Sequence, residues 1–398
     1  MIRDERPLAS PVGPAGRIES LDILRGFALL GMLAVHFHVR TTEPGGIDEL
    51  VRTAIWRLVE SKSHGTFALL FGAGFAIQLR RARQRGGPFA ARYLRRLAVL
   101  ALFGFAAHAL FGFNVLLGYA VWGVPLLLIR DWSTRRLLLT AGIATISVSL
   151  YELVAAWYLP SSAGPDGAAA VLEARRAAAV AVNGALHAAE GQASYAVLLG
   201  ARLEHMAWFH AQPFFVLPNA TLALFITGLL LVRHRVFEDA GARGPLLAAM
   251  AAFGVAAWSA DNWLLPSWGV ESYGLLRDQW LMFAYVSGVL WLLALRPGLT
   301  AHLGWVANAG RMALTNYLLQ IAALDLVFSG YGLSLGSIRP VVGLAAAVMC
   351  FTAQAVVSTM WLRHFRFGPA EWLWRLLTHG PFQVMRRPAA PAGPSAPV

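Results

Sequence analysis

The chain has few charged residues for its length and almost no cysteine. Only 14% of its 398 residues are Asp, Glu, Lys or Arg, whereas soluble globular domains carry about 25%. The one cysteine, Cys350, excludes an intrachain disulfide and a cysteine-ligated metal site. No segment repeats at a fixed period, which excludes a solenoid. The composition therefore excludes an ordinary soluble globule and predicts a membrane protein.

Apolar runs long enough to cross a bilayer, about 20 residues each, recur along the whole sequence. The run between Leu97 and Ile129 is too long for one crossing, and we divide it near Gly112, Phe113 and Asn114. The predicted fold class is an all-α polytopic integral membrane protein with about ten transmembrane helices. We place these spans at roughly 20–38, 64–79, 96–111, 114–129, 137–158, 213–232, 245–264, 280–295, 312–329 and 340–362.

The positive charges are distributed unevenly between the two sides of these spans. With the N-terminus inside, the densest basic run, residues 80–85, also falls inside. Membrane orientation follows this bias, so both termini are predicted to be cytoplasmic. The net charge of +12 then suits anionic lipid head groups, and no nucleic-acid partner is expected. Of the 33 Lys and Arg residues, nine fall outside: Arg40, Arg52, Arg57, Lys62, Arg175, Arg176, Arg202, Arg277 and Arg339.

The spans predict five regions along the chain. They are a cytoplasmic N-terminal segment (1–19), a five-helix membrane half (20–158), an extracytoplasmic helical loop (159–212), a second five-helix half (213–380) and a disordered Pro/Ala tail (381–398). No cleavable signal peptide is expected before the first span. Within the outer insert, residues 160–166 predict a loop before an Ala-rich helix. An insert of this length is either a lid over an outer cavity or a flexible segment.

Arg25 and His36 are the most informative pair, because both lie inside the first predicted span. In a helix they fall within about 20° of the same face and roughly 16 Å apart along the axis. An ionisable residue inside a membrane is a functional candidate by default, since burying its charge in hydrocarbon is costly. Asp22 lies one turn before Arg25. It either only pairs with Arg25 or leaves part of the guanidinium for a phosphate or carboxylate.

His64 and His108 lie near the outer ends of their predicted spans, as His36 does. Three imidazoles at similar depth can line one cavity and act as general bases near neutral pH. The alternative is that each one only hydrogen-bonds a neighbouring helix. No histidine spacing matches a zinc signature, so we expect no metal.

The ninth predicted span and the turn near Asn114 add further polar residues. Arg311, Asn316 and Gln320 enter the membrane together, which predicts a helix that faces a hydrated interior. We assign Asn114, Asn316 and Gln320 to a substrate cavity with His64 and His108.

Several motifs, in order, resemble the YeiB-like membrane family, which is catalogued as domain of unknown function 418. The resemblance covers nearly the whole chain and by itself implies no activity. The motifs are Leu21-Asp22-x-x-Arg25-Gly26-Phe27-Ala28, Leu69-Leu-Phe71-Gly72-Ala-Gly74-Phe75, Gly310-Arg311-Met-Ala-Leu-Thr315-Asn316-Tyr317-Leu-Leu-Gln320, Tyr331-Gly332-Leu and Gly368-Pro369-x-Glu371-Trp372-Leu-Trp374-Arg375.

The N-terminal segment also resembles the transmembrane acyltransferase superfamily. In its O-acetyltransferase branch an Arg and a His of the first helix serve acyl transfer, and Arg25 and His36 match that pattern. YeiB-like members usually carry Asn at the position of His36 and Asp at that of Asn114, so this chain departs from them at both positions. The resemblance implies acetyl-CoA or another acyl-CoA as co-substrate, with its phosphates near Arg25, Asp22 and Arg311. His36 would then act as the general base or take the acyl group itself.

Two main classes of function follow from these residues. The first is an acyltransferase of the bacterial cytoplasmic (inner) membrane that moves an acetyl group from cytoplasmic acyl-CoA to a hydroxyl or amine on an outer-face glycan or small molecule. The alternative is a multi-pass transporter or exporter of a small molecule, with Arg25, Arg311 and Asp325 along its path. A non-catalytic membrane partner is a third reading, and assembly into a homo-oligomer stays open.

Overall fold

Helices make up almost the whole fold, because backbone N–H and C=O groups find no water to bind in hydrocarbon. The computed structural model describes residues 18–41, 45–112, 114–264, 277–380 and 383–387. About 82% of the described residues are helical, and no strand occurs among them. The all-α prediction is therefore confirmed. Most of the predicted N-terminal segment 1–19 and of the tail 381–398 lies outside the described residues.

The N-terminal half contains helices α1 to α6. The helix α2 continues into a π-helical turn, Ile55–Val59. The predicted loop at 160–166 is wrong, because two helical pieces of α6 meet there directly at Gly164, whose φ of 72° makes the kink. The helices are α1 Glu19–His38, α2 Ile47–Ala54, α3 Lys62–Arg85, α4 Ala90–Phe111, α5 Leu116–Ile129 and α6 Thr134–Glu190.

The rest of the chain supplies the remaining helices. Each of the predicted spans in both halves falls on one helix or on two consecutive ones. A second π-helical turn, Ala260–Leu264, extends α10. The helices are α7 Tyr195–His210, α8 Pro213–Val216, α9 Ala220–Arg233, α10 Gly244–Ser259, α11 Arg277–Leu295, α12 Leu299–His302, α13 Gly304–Arg311, α14 Ala313–Phe328, α15 Pro340–His364 and α16 Pro369–His379.

Several helices have the length and composition of membrane spans. Within the described ranges five are long and apolar enough: Glu19–His38, Phe89–Phe111, Thr134–Ala155, Pro213–Arg233 and Pro340–His364. Leu116–Ile129, Gln279–Leu295 and Ala313–Phe328 are apolar but shorter. The protein is thus a multi-pass helical membrane protein associated with a lipid bilayer. Ten crossings and two cytoplasmic termini stay predictions.

The helix α1 is the centre of the bundle and contacts α3, α13, α14 and α15. A close backbone crossing joins α3 to α9. A Cβ atom at Gly72 would lie 1.9 Å from the Phe225 carbonyl oxygen, and one at Gly228 would lie 1.9 Å from that of Leu69. Only glycine allows the two backbones to approach this closely, as in other membrane helix pairs.

On the predicted inner side, Glu371 of α16 caps the N-terminus of α14. Its carboxylate accepts hydrogen bonds from the backbone N–H groups of Leu314 (2.7 Å) and Thr315 (3.1 Å) and from the Thr315 hydroxyl (2.5 Å). First-turn N–H groups have no partner within their own helix, so an outside acceptor stabilises them. The cap joins two of the sequence motifs that lie more than 50 residues apart.

Replacing Glu371 with Ala should lower the free energy of unfolding by about 2 kcal/mol, because two buried N–H groups lose a charged acceptor. Glu371→Gln keeps one acceptor oxygen and should cost less. The measurement is the melting temperature of the detergent-solubilised protein, with Glu204→Ala on the exposed side of α7 as the matched control. Equal melting temperatures for Glu371→Ala and the control would contradict the capping role.

Candidate functional site

A cavity of about 530 Å³ lies among the predicted outer ends of the helices. This volume is within the range of small-molecule sites. Its walls come from α1, α3, α4, α5, α9, α11 and α14, and residues of α6 and α7 close it from above. In each of these helices, the lining residues lie near one end. The distribution of Lys and Arg predicts that this end is at the outer face.

His36 and His64 face this cavity from adjacent helices. The helices α1 and α3 touch just below, where a Cβ atom at Gly31 would lie 1.9 Å from the Ser63 hydroxyl oxygen. The Nδ1 atom of His36 is buried and has no hydrogen-bond partner among the described residues. Its ring centroid is 6.1 Å from that of Tyr317. Both imidazoles are therefore positioned by a tight crossing, and His36 keeps a ring nitrogen available for a ligand.

A second group of imidazoles lies against the insert. The ring of His108 on α4 is 5.9 Å from that of His205 and 5.8 Å from that of His210, both on α7. His108 and His205 also line the cavity. The structure thus brings together the three predicted imidazoles, His36, His64 and His108. Within the described ranges, no group of three or more His, Cys, Asp or Glu is arranged to hold a metal ion.

The insert covers the cavity, and we name its part from 165 to 210 the lid. Arg40, in the turn that follows α1, donates both guanidinium NH2 groups to the Glu190 carboxylate, each at 2.8 Å. Arg202 of the lid pairs with Asp325 of α14, and the two side chains are only 2% and 3% exposed. The Tyr331 hydroxyl donates a further hydrogen bond to Asp325, at 2.6 Å. Two ion pairs therefore hold the insert in place, which favours the lid over a flexible segment.

Asn114, Asn316 and Gln320 do not line the cavity to which the sequence assigned them. Asn114 binds backbone groups where α4 joins α5. The side-chain amides of Asn316 and Gln320 donate to Ser358 (3.0 Å) and Gln354 (2.8 Å) on α15. These polar groups connect helices to each other, a common role of amides inside membranes.

Asp22 and Arg25 pair at the predicted inner end of the bundle, where the end of α13 passes beside them. Arg25 donates to the Asp22 carboxylate at 3.0 Å. A Cβ atom at Gly310 would lie 2.0 Å from the Asp22 carbonyl oxygen, so α1 and α13 touch one residue before Arg311, the last residue of α13. Arg25 is 28% exposed and makes no other hydrogen bond with a described residue. The ion pair therefore forms, and part of the guanidinium still has donors to offer.

Apolar side chains separate this inner cluster from the outer cavity. Leu29 and Met32 lie on the same face of α1 as Arg25 and His36, and they are 0% and 3% exposed. Met32 lines the cavity floor, whereas Leu29 and Arg25 do not. Arg25 and His36 therefore share a helix face but not a cavity.

Sequence reasoning missed three lining residues on the insert: Glu190, Arg202 and His205. Glu190 lies 150 residues from its partner Arg40, and no local pattern relates positions that far apart. One signal was available for Arg202, which stands in a largely apolar helix between Leu198 and Met206.

These features define a multi-pass helical membrane protein with a lidded cavity at its predicted outer side and a basic cluster at its predicted inner end. Residues 17–161 match the family model "Heparan-alpha-glucosaminide N-acetyltransferase, catalytic". Residues 231–381 match the model "Protein of unknown function (DUF418)". The first match includes Arg25, His36, His64 and His108, and points to a transmembrane acetyltransferase-like fold.

Curated relatives span nearly the same length as this chain. The uncharacterized protein YxaH of Bacillus subtilis is 29% identical over 394 residues, which cover 93% of this chain and 96% of the relative. The uncharacterized protein YeiB of Escherichia coli is 28% identical over 395 residues, covering 90% and 95%. An uncharacterized 39.9 kDa protein of Bacillus acidopullulyticus is 27% identical over 382 residues, covering 93% and 96%. No solved structure matches the chain. The resemblance to the YeiB-like, domain of unknown function 418 proteins is confirmed.

Breaking the pair between Arg202 and Asp325 should loosen the lid. Asp325→Ala leaves a buried guanidinium without its counter-charge, at a cost of about 3–5 kcal/mol. The double replacement Arg202→Leu with Asp325→Leu removes both charges and should recover most of that loss. The melting temperature reports the stability, and protease cleavage near the exposed Arg175 and Arg176 reports lid opening. A double variant as damaged as Asp325→Ala would contradict the buried-charge explanation.

Lid closure should weaken in acid. Burial lowers the pKa of His205 below its ordinary 6.5, opposed by Glu190 and reinforced by His210 and His187. In an open lid the imidazole returns towards its ordinary pKa, so the open form binds protons more readily. Closure is then strongest above about pH 6.5 and weakens as the pH falls below it. Hydrogen–deuterium exchange of residues 195–210, corrected for intrinsic rates, measures this effect. His205→Gln should flatten the pH dependence, and an unaltered profile would contradict the assignment.

Proposed function

We propose that the protein is a membrane acyltransferase, which moves an acetyl or other acyl group from cytoplasmic acyl-CoA to a hydroxyl or amine acceptor at the outer face. The observation that carries this proposal is the pair His36 and His64 in one outer cavity, within the segment that matches an acetyltransferase catalytic model. Imidazole is the side chain best suited to accept a proton near neutral pH. We further propose a bacterial cytoplasmic membrane as its location, because the relatives named above are bacterial.

In this proposal His36 is the general base and His64 completes the same wall. The acceptor O–H or N–H gives its proton to the imidazole while the acceptor atom attacks the thioester carbonyl carbon. A carbon–oxygen or carbon–nitrogen bond forms, the carbon–sulfur bond breaks, and the imidazole returns the proton to the departing thiolate. The buried Nδ1 of His36 has no hydrogen-bond partner among the described residues, and this supports the role because the acceptor would then be its partner.

The donor would bind with its phosphates at Arg25 and Arg311, where the guanidinium of Arg25 is only partly used by Asp22. The thioester then has to pass Leu29 and Met32, since these side chains fill the same face of α1. Transfer therefore requires the apolar layer to open between the inner cluster and the cavity. The helix rise between Arg25 and His36 is about 16 Å, which sets the distance that the donor's arm must span.

A transporter is the second candidate. It is favoured by the apolar layer that separates the cavity from the cluster around Arg25. A lidded cavity with an apolar floor that separates it from the other side is the arrangement expected of a state in alternating access that faces one side of the membrane. The two candidates differ in their response to acetyl-CoA. Acetyl-CoA should raise the melting temperature of the purified protein if it is a co-substrate, whereas a transporter of another small molecule has no reason to respond.

Replacing His36 with Ala or Asn should reduce outer-face acetylation by at least about 100-fold, which is the contribution of a positioned general base. Mass spectrometry of envelope glycans and secreted metabolites compares cells with the native chain, each variant or no protein. His302→Asn, on the short α12 at the predicted inner side, is the matched control. Full acetylation in both His36 variants would end the assignment of His36 as the base, and no acetylated product that depends on the protein would end the acyltransferase proposal.

A further inference from the structure

The charges of the described residues that line the cavity do not balance. Among these residues, five carry a formal charge: Arg40, Arg202, Glu60, Glu190 and Asp325. Arg40 pairs with Glu190, and Arg202 pairs with Asp325. The Glu60 carboxylate makes no hydrogen bond or ion pair with any residue that the structure describes. With neutral imidazoles, the described part of the lining keeps one uncompensated negative charge, on Glu60.

An unusual backbone holds Glu60 at the cavity wall. The N–H of Glu60 donates to the Ile55 carbonyl at 2.9 Å and closes the π-helical turn that follows α2. Ser61, the next residue, has a φ of 66°, which side chains other than glycine rarely adopt. Both features are frequent at functional sites, where surrounding contacts maintain a costly geometry. The π-helical turn and the positive φ of Ser61 thus place the Glu60 carboxylate in the cavity wall, just before α3 begins.

Nearby basic side chains do not cancel this charge inside the cavity. Arg57 and Lys62 flank Glu60 in sequence, but neither lines the cavity. His38 lies close enough to Glu60 for their charges to interact, and it also lies outside the lining. His36 and His64 are the imidazoles beside Glu60 in the lining, and they carry no charge at mildly alkaline pH.

We propose that the cavity binds a ligand with a positive charge, of the ammonium class, and that Glu60 selects it. In a concave site with low-dielectric walls, one unpaired carboxylate concentrates cations and repels anions. The inference depends on the proposed function only in that the ligand would be the acyl acceptor, which then carries an amine. Glu60 would be a specificity-determining residue, separate from the proton transfer at His36.

Charged thiol reagents measure this selectivity directly. Cys350 is the one cysteine of the chain, so Cys350→Ser gives a cysteine-free background. Thr221→Cys on α9 and, separately, Gln279→Cys on α11 place a thiol in the lining. The probes are the trimethylammonium-ethyl and the sulfonato-ethyl methanethiosulfonates, applied from outside at pH 8, with rates normalised to a free thiol in solution. The cationic reagent should react at least about tenfold faster than the anionic one at both positions.

Glu60→Gln should remove most of that preference without unfolding the protein, because the carboxylate has no hydrogen-bond or ion-pair partner to lose among the described residues. Glu49→Gln is the matched control, since Glu49 lies on the exposed side of α2 and binds Arg52. Equal rates, an anionic preference, no reaction at either cysteine, or a preference unchanged by Glu60→Gln would each overturn the inference. These rates do not involve acyl transfer, so their failure would leave the proposed function standing, and the acetylation test decides that function independently.

Discussion

Hydrocarbon offers no partner to a backbone group or to a charge, and the protein has to satisfy both from within. Helices meet the first demand throughout the described chain. The second is met by pairing: Asp22 with Arg25 at the inner end, Glu371 with the start of α14, and Arg202 with Asp325 under the lid. The ionic contacts thus occur where helix ends meet, and apolar side chains and glycine crossings fill the space between them.

Hydropathy alone was enough to predict the helices, because a bilayer demands long apolar runs whatever the function. The depth of His36, His64 and His108 in their spans was also enough to bring them to one cavity. The sequence pattern could not distinguish a polar residue that connects two helices from one that binds a ligand. Asn316 and Gln320 look functional in sequence, yet their partners on α15 lie 42 and 34 residues away. The loop predicted at 160–166 was wrong because one non-helical residue, Gly164, is enough to turn the chain between two helical pieces.

The apolar layer of Leu29 and Met32 gives the two polar regions separate tasks. A channel open from Arg25 to His36 would let water and ions cross the membrane with every opening of the lid. A closed floor prevents that leak, and it also lets the cavity keep its own electrostatic character. Glu60 then acts on the outer ligand without weakening the basic cluster at the inner end. In the proposed acyl transfer, the side chains of this layer therefore have to move apart for the thioester to pass.

The helix α14 is anchored at both of its ends by carboxylates. Glu371 of α16 binds its first turn at the inner side, and Asp325 in its last turn binds Arg202 of the lid. A helix of 16 residues is about 24 Å long and nearly inextensible. A displacement of α16 along the axis of α14 would therefore reach the lid without being absorbed in between. In the predicted topology, α14 connects the two faces of the membrane as one rigid element.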